Sequence, residues 1–189
     1  QRKRDSNEVL ASAEHVIPAD FVDDILPETL QAQLTVSNVP PLPVGSALHS
    51  LLRYPYGCLE QTTSSAYPYL FLDADATDKW GLSPLTMEQR NERVQAALLN
   101  LTGMQLGSGF FTLWGSYGSA EHWLTPYVAD FLLDAQRQGF SVPASLSQRT
   151  FKRLEVTLQE GYSRPTSRYG FSDHPEHMGF AARAYAAYV

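Results

Sequence analysis

Cysteine is nearly absent: Cys58 stands alone among 189 residues. A single thiol closes no internal disulfide and gives too few ligands for a cysteine-based metal site. Positive charge is also in deficit. Lys and Arg total 14 against 20 Asp and Glu, a formal net charge of −6. A chain without a cationic footprint is not expected to bind nucleic acid. No apolar run approaches the ~20 residues that a bilayer-spanning helix needs. The longest, Ala66–Leu72 and Val128–Leu133, read as core segments. No apolar run follows the opening Gln1-Arg2-Lys3-Arg4, so the mark of a secretory leader is missing. The 5 histidines are scattered without a His-x-x-x-His pair, so no metal and no cofactor are expected.

What is present describes a folded chain. Hydrophobic residues make up 43% and charged residues 18%, a balance of globular rather than disordered proteins. Leu30, Ala32, Leu34 and Val36 alternate with polar residues, the period of a half-buried strand. Val39-Pro40-Pro41-Leu42-Pro43 ends it. Residues 1–43 therefore read as the end of a β-rich module with a linker.

From Val44 the period becomes helical. Ala47, Leu48, Leu51 and Leu52 share a face, and a second helical stretch runs from Cys58 to about Leu72, kinked at Pro68. Thr86 with Gln89 has the pattern of a capping box, followed by the stripe Val94, Ala97, Leu98, Leu101 and Met104. Leu124, Tyr127, Val128, Phe131, Leu132 and Ala135 form another stripe, stopped by Gly139. Phe151, Leu154 and Leu158 form a weaker one, and Met178, Ala181, Ala182, Tyr185 and Val189 begin one more. Gly109-Phe110 and Tyr127-Val128 recur as Gly170-Phe171 and Tyr188-Val189, which suggests stacked helical hairpins. The chain stops in mid-pattern, so residues 44–189 are expected to be cut from a longer helical array.

The chemistry concentrates in Pro55-Tyr56-Gly57-Cys58-Leu59-Glu60-Gln61. Cys58 and Gln61 are three residues apart and meet across one helical turn. Displacement of ammonia from the Gln61 carboxamide by the Cys58 thiol would give a cyclic thioester of roughly fifteen ring atoms, closed by ordinary bond lengths. The Gln61 acyl carbon then becomes an electrophile with a thiolate as leaving group. Pro55 and Gly57 suit the sharp turn that opens the segment. Two other readings stay open. Cys58 could be the nucleophile of a cysteine-dependent hydrolase or transferase, with His174 or His177 as base. The chain could also be a structural or binding module with an inactive thioester.

The heptapeptide resembles the thioester site of the α2-macroglobulin and complement family, Pro-x-Gly-Cys-x-Glu-Gln. Pro55, Gly57, Cys58, Glu60 and Gln61 match, and Leu59 replaces the Gly usual in animals, as in the bacterial branch. His122-Trp123-Leu124-Thr125-Pro126-Tyr127-Val128 is similar to a second segment of that family. The resemblance implies a mainly α fold, part of an α/α toroid of helical hairpins, preceded by a short β or extended segment. It implies a fragment of a broad-spectrum protease inhibitor, not a turnover enzyme. Cleavage of a bait elsewhere in the parent would expose the thioester, and a lysine amine of the target protease would attack Gln61. It also implies a periplasmic parent anchored to the inner membrane by a lipid outside this chain, with a penicillin-binding protein as a possible envelope partner.

Supporting roles fall to Pro55, Gly57 and Glu60. Aromatic rings could keep water from the bond, and Tyr54, four residues before Cys58, is the candidate shield among Tyr56, Tyr67, Tyr69 and Phe71. His174 with Glu176 echoes the His-x-Glu pattern by which some members favour hydroxyl targets, and His177 is the alternative. Gln105 to Trp114 resembles the Gln-to-Trp turns that staple hairpins in other α/α toroids. Asn100-Leu101-Thr102 has the glycosylation pattern but falls within a helix.

Overall fold

The computed structural model describes residues 44–52, 57–80, 82–160 and 175–189, all within the compact unit Val44–Val189. The strand expected over Leu30–Val36, and the rest of residues 1–43, lie outside the described residues. Among the described residues seven α-helices follow one another: α1 (Val44–Leu52), α2 (Leu59–Ala66), α3 (Ala74–Lys79), α4 (Met87–Met104), α5 (Leu124–Arg137), α6 (Ala144–Glu160) and α7 (Pro175–Tyr188). A short 3₁₀ segment, Tyr67–Leu70, continues α2. The architecture is mainly α, hairpins of a partial α/α toroid. Among the described residues the extended pairing is limited to a single bridge between Gln105 and Phe111. No helix among them is long and apolar enough to cross a membrane.

The helix boundaries have local causes. Pro68 sits in the first turn of the 3₁₀ segment, where its missing N–H is tolerated, so the kink expected there is a change of helix type. Thr86 and Gln89 cap α4 reciprocally: Thr86 Oγ1 accepts from Gln89 N–H at 3.1 Å and Gln89 Oε1 from Thr86 N–H at 2.9 Å. Gly139 ends α5 with φ +83°. Its N–H donates to the Gln136 carbonyl at 3.0 Å and that of Phe140 to Ala135 at 2.9 Å, the paired bonds of a Schellman cap. The sequence reading passed over α3, although Asp73 marks its start by accepting from Ala76 N–H at 2.9 Å.

Packing is organised around α5. Leu124, Val128, Phe131, Leu132 and Ala135 from α5 join Leu59, Leu70, Val94, Leu98, Leu101 and Phe111 in one buried cluster. The stripes expected for α4 and α5 are these core faces, with Tyr127 half-buried at the edge. The stripe on α6 looked weak because part of its buried face is polar. Ser147 and Thr150 are buried beside Leu146 and Leu154, and the Gln105 amide donates to the Leu146 carbonyl at 3.1 Å and to Thr150 Oγ1 at 2.9 Å. Gln105 thus staples α4 to α6, the role read for the turn it opens. On α7 the buried residues include Ala182 and Ala186, whereas Ala181 is exposed, which shifts the expected face. The proposed repeat fails: Tyr127 lies in the first turn of α5 and Tyr188 ends α7, so the matching residues occupy opposite helix ends.

Gly109 holds the start of the α4–α5 connection at φ +89°, where a Cβ would strike the Arg149 carbonyl and come within 2.8 Å of Arg153 Cβ. Gly109→Ala is therefore expected to cost about 2 kcal/mol or more of stability, read as a lower urea midpoint at unchanged slope.

Candidate functional site

The head of α2 brings the two chemistry-bearing residues together. Cys58 occupies the N-cap with extended backbone, φ −70° and ψ 167°, and its carbonyl accepts from Thr62 N–H at 2.8 Å. Gln61 is the third helical residue. Its side chain folds back so that Oε1 accepts from Cys58 N–H at 3.3 Å, while the Cys58 side chain faces the Gln61 N–H. This is a capping box with sulfur where a hydroxyl usually stands. Cys58 is only 6% exposed, next to exposed Gly57. The sulfur and the carboxamide therefore share one end of one helix, as their spacing required.

A distant loop secures that end. Leu59 is fully buried, and its N–H donates to the Leu113 carbonyl at 2.8 Å, satisfying one of the amides that a helix start leaves free. The Leu113 loop is itself tied down. Thr112 N–H donates to the Met104 carbonyl at 3.0 Å, Thr112 Oγ1 bonds the Gly115 carbonyl, and Glu121 N–H donates to the Phe111 carbonyl at 2.7 Å. Trp114 and Tyr117 project from the same loop into solvent. Sequence reasoning assigned this loop to stapling and missed its contact with α2. No local signal marks a backbone carbonyl as the partner of a helix so far away in sequence.

Glu60 lies off the Cys58–Gln61 face. Ser64 Oγ donates to Glu60 Oε1 at 2.9 Å and stands 2.9 Å from the Tyr127 hydroxyl of α5. One turn on, the Tyr67 hydroxyl donates to Asp134 Oδ2 at 2.8 Å. Ser64 meets Tyr127 and Tyr67 meets Asp134, so α2 and α5 run side by side in the same direction. The Tyr67 ring stacks on Tyr127 at 5.9 Å and meets the edge of Phe131 at 5.5 Å. Burial and the bond to Asp134 push the Tyr67 hydroxyl well above the ordinary tyrosine range. Tyr185 of α7 donates to Asp130 Oδ2 at 2.8 Å, and burial followed by that bond raises its hydroxyl likewise.

The expected aromatic roof over Cys58 is not formed by Tyr67, Tyr69 or Phe71. These residues begin nine positions beyond Cys58, roughly 13 Å along the helix axis. Tyr69 is buried in the core, Tyr67 packs on α5, and Phe71 is 46% exposed. Tyr54, Pro55 and Tyr56 lie outside the described residues, as does His174. His177 lies exposed in the first turn of α7. Among the described residues no histidine hydrogen-bonds the Cys58 sulfur, so the hydrolase reading gains no base there.

The head of α5 carries two titratable groups shifted by burial. His122 meets the Phe110 ring at 4.5 Å with the planes tilted by 49°, and burial, with the Arg153 charge beside it, lowers its basicity. Glu121 is 7% exposed. Burial raises its pKa above the usual carboxylate value and makes it a weaker acid.

A helical-hairpin domain that presents a capped Cys–Gln pair at a helix head is the class that fold and site define. Residues 22–164 match the family model described as the A-macroglobulin TED (thioester) domain. The chain is 38% identical over 173 residues to the alpha-2-macroglobulin of Escherichia coli strain K12, covering 92% of this chain and 10% of that protein. It is 38% identical over 165 residues to that of Xylella fastidiosa strain Temecula1, covering 87% and 10%. The crystal structure of native E. coli alpha-2-macroglobulin from domain MG7 to the C-terminus superposes with a TM-score of 0.70 at 38% identity, covering 78% of this chain and 23% of that one. The crystal structure of Salmonella alpha-2-macroglobulin reacted with methylamine gives 0.70 at 39% identity, covering 79% and 10%. The chain belongs to the A-macroglobulin thioester-domain family. It spans about a tenth of the length of the curated relatives it matches.

Because Glu121 binds its proton more tightly folded than unfolded, its ionisation opposes folding above its folded-state pKa. Glu121→Gln is therefore expected to raise stability at pH 7. The gain should fade as pH falls through the folded value and vanish below about 4.3, where unfolded Glu is also protonated. Urea unfolding at pH 7 and pH 4 checks this.

Proposed function

We propose that this chain is the reactive part of a bacterial protease trap, and that Cys58 and Gln61 form an internal thioester. The observation that carries the reading is the reciprocal cap: the Gln61 carbonyl already sits on the Cys58 N–H at 3.3 Å, beside the sulfur. In ring closure Sγ bonds to Cδ of Gln61 and the Cδ–Nε2 bond breaks. The nitrogen leaves as ammonia, carrying the thiol proton. The Cys58 N–H polarises the carbonyl under attack, and the α2 N-terminus stabilises the oxyanion that develops there.

The stored bond is used once. An amine nitrogen attacks Cδ, the C–S bond breaks, the thiolate leaves, and the amine proton returns to sulfur. The product is an amide between Gln61 and the target, with Cys58 again a thiol. The nucleophile in this reading is a lysine amine on a protease that has cut a bait elsewhere in the parent. Support comes from the relatives: a Salmonella alpha-2-macroglobulin was crystallised after reaction with methylamine, and an E. coli one after activation by trypsin. We further place the parent in the periplasm, anchored to the inner membrane by a lipid, with a penicillin-binding protein as an envelope partner. Fractionation of cells with and without the anchoring modification tests that placement.

The decisive test is the intact parent by mass spectrometry. The native protein is expected about 17 Da lighter than its sequence, the ammonia lost in acylation, with Cys58 resistant to alkylation. Methylamine should release one thiol and label Gln61. Cys58→Ala and Gln61→Ala should each abolish covalent protease capture. A native parent of full sequence mass whose Cys58 alkylates freely would overturn the proposal.

A further inference from the structure

The Glu60–Ser64–Tyr127 chain links α5 to the residue beside Gln61. A serine hydroxyl has one proton, and an ionised carboxylate only accepts. Since Ser64 Oγ donates to Glu60 Oε1 at 2.9 Å, the Tyr127 hydroxyl, also 2.9 Å from Ser64 Oγ, must donate to Ser64. The relay is thus directional, from α5 into the first turn of α2. The Tyr127 ring is fixed from its other side by the stack on Tyr67, whose hydroxyl is held by Asp134.

Helical geometry gives the relay a purpose. Successive residues turn about 100° around the axis, so Glu60 and Ser64 share a strip while Glu60 stands away from Cys58 and Gln61. A carboxylate in the first turn is attracted to the free N–H groups of the helix head. Those include the N–H groups that hold Cys58 and Gln61 together. A negative charge drawn there would compete with the weaker amide acceptor of Gln61 and loosen the bond that folds the carboxamide back to the sulfur.

Resting on the thioester reading, we propose that Tyr127, acting through Ser64, is a positioning residue that holds the Glu60 carboxylate against α5 and off the Cys58–Gln61 pair. The expected failure of the relay is an incompletely closed ring, not an unfolded domain.

The test is made on the full-length parent, with the alkylatable fraction of Cys58 and the ammonia-loss mass as readouts. Tyr127→Phe and Ser64→Ala should each raise the alkylatable fraction roughly threefold to tenfold, the scale of one ordinary hydrogen bond. Ser64→Thr, which keeps the hydroxyl, should restore closure. Glu60→Gln removes the charge that the relay restrains, so adding Tyr127→Phe to it should change nothing further. The melting temperature of each variant is followed in parallel. Closure unchanged in Tyr127→Phe overturns the proposal. So does an equal loss in the Glu60→Gln background, which marks a packing defect. A wild-type parent of full sequence mass removes the thioester reading, and this proposal with it. An intact wild-type bond with an unaffected Tyr127→Phe removes the relay alone.

Discussion

The arrangement rests on one short-range interaction, the exchange of caps between Cys58 and Gln61 at the start of α2. Every helix start leaves N–H groups without partners, and here one of them is met by the carboxamide oxygen of Gln61. The same bond that ends the helix neatly also folds the carboxamide back to the sulfur. Local backbone economy and the proximity needed for acyl transfer are thus one geometry.

That geometry would be loose on an isolated helix of eight residues, which is marginal in water. The surrounding domain makes it firm. Leu59 is buried in the core and its N–H is held by the Leu113 carbonyl, which fixes the helix head from one side. Tyr127 and Asp134 of α5 hold Ser64 and Tyr67 from another. Because α2 and α5 lie in parallel, the contacts repeat along their length and set α2 in rotation as well as in position. The tyrosine hydroxyls on this seam, Tyr67 and Tyr127, stay protonated donors, since burial and neighbouring carboxylates both oppose their ionisation.

Polar groups in the interior do organising work of a similar kind. Gln105 and Thr150 put hydrogen bonds in the seam between α4 and α6, and Thr125 Oγ1 accepts from Phe111 N–H at 3.3 Å while donating to the Glu121 carbonyl at 2.8 Å. Such bonds are directional, so they choose one register among the several that apolar faces alone would allow. They explain why the α6 stripe reads weakly: Ser147 and Thr150 count as polar in a periodicity but lie buried against neighbours.

Much of this was legible in the residues. The stripes of α4 and α5, the cap at Thr86, the stop at Gly139 and the pairing of Cys58 with Gln61 all follow from spacings within one or two turns. Such spacings fix which side chains can meet before any tertiary contact forms. The α7 face was misread because a short alanine-rich helix presents nearly equivalent faces, and the recurrence of Tyr127-Val128 as Tyr188-Val189 misled because the two tyrosines fall at opposite helix ends. The order in space belonged to the tertiary structure alone: the Leu113 carbonyl at the head of α2, the turning of Glu60 toward Tyr127, and the removal of Tyr67, Tyr69 and Phe71 from the neighbourhood of Cys58. Each joins or separates groups far apart along the chain, and a backbone carbonyl or hydroxyl carries no sign in sequence of the partner that packing will bring to it.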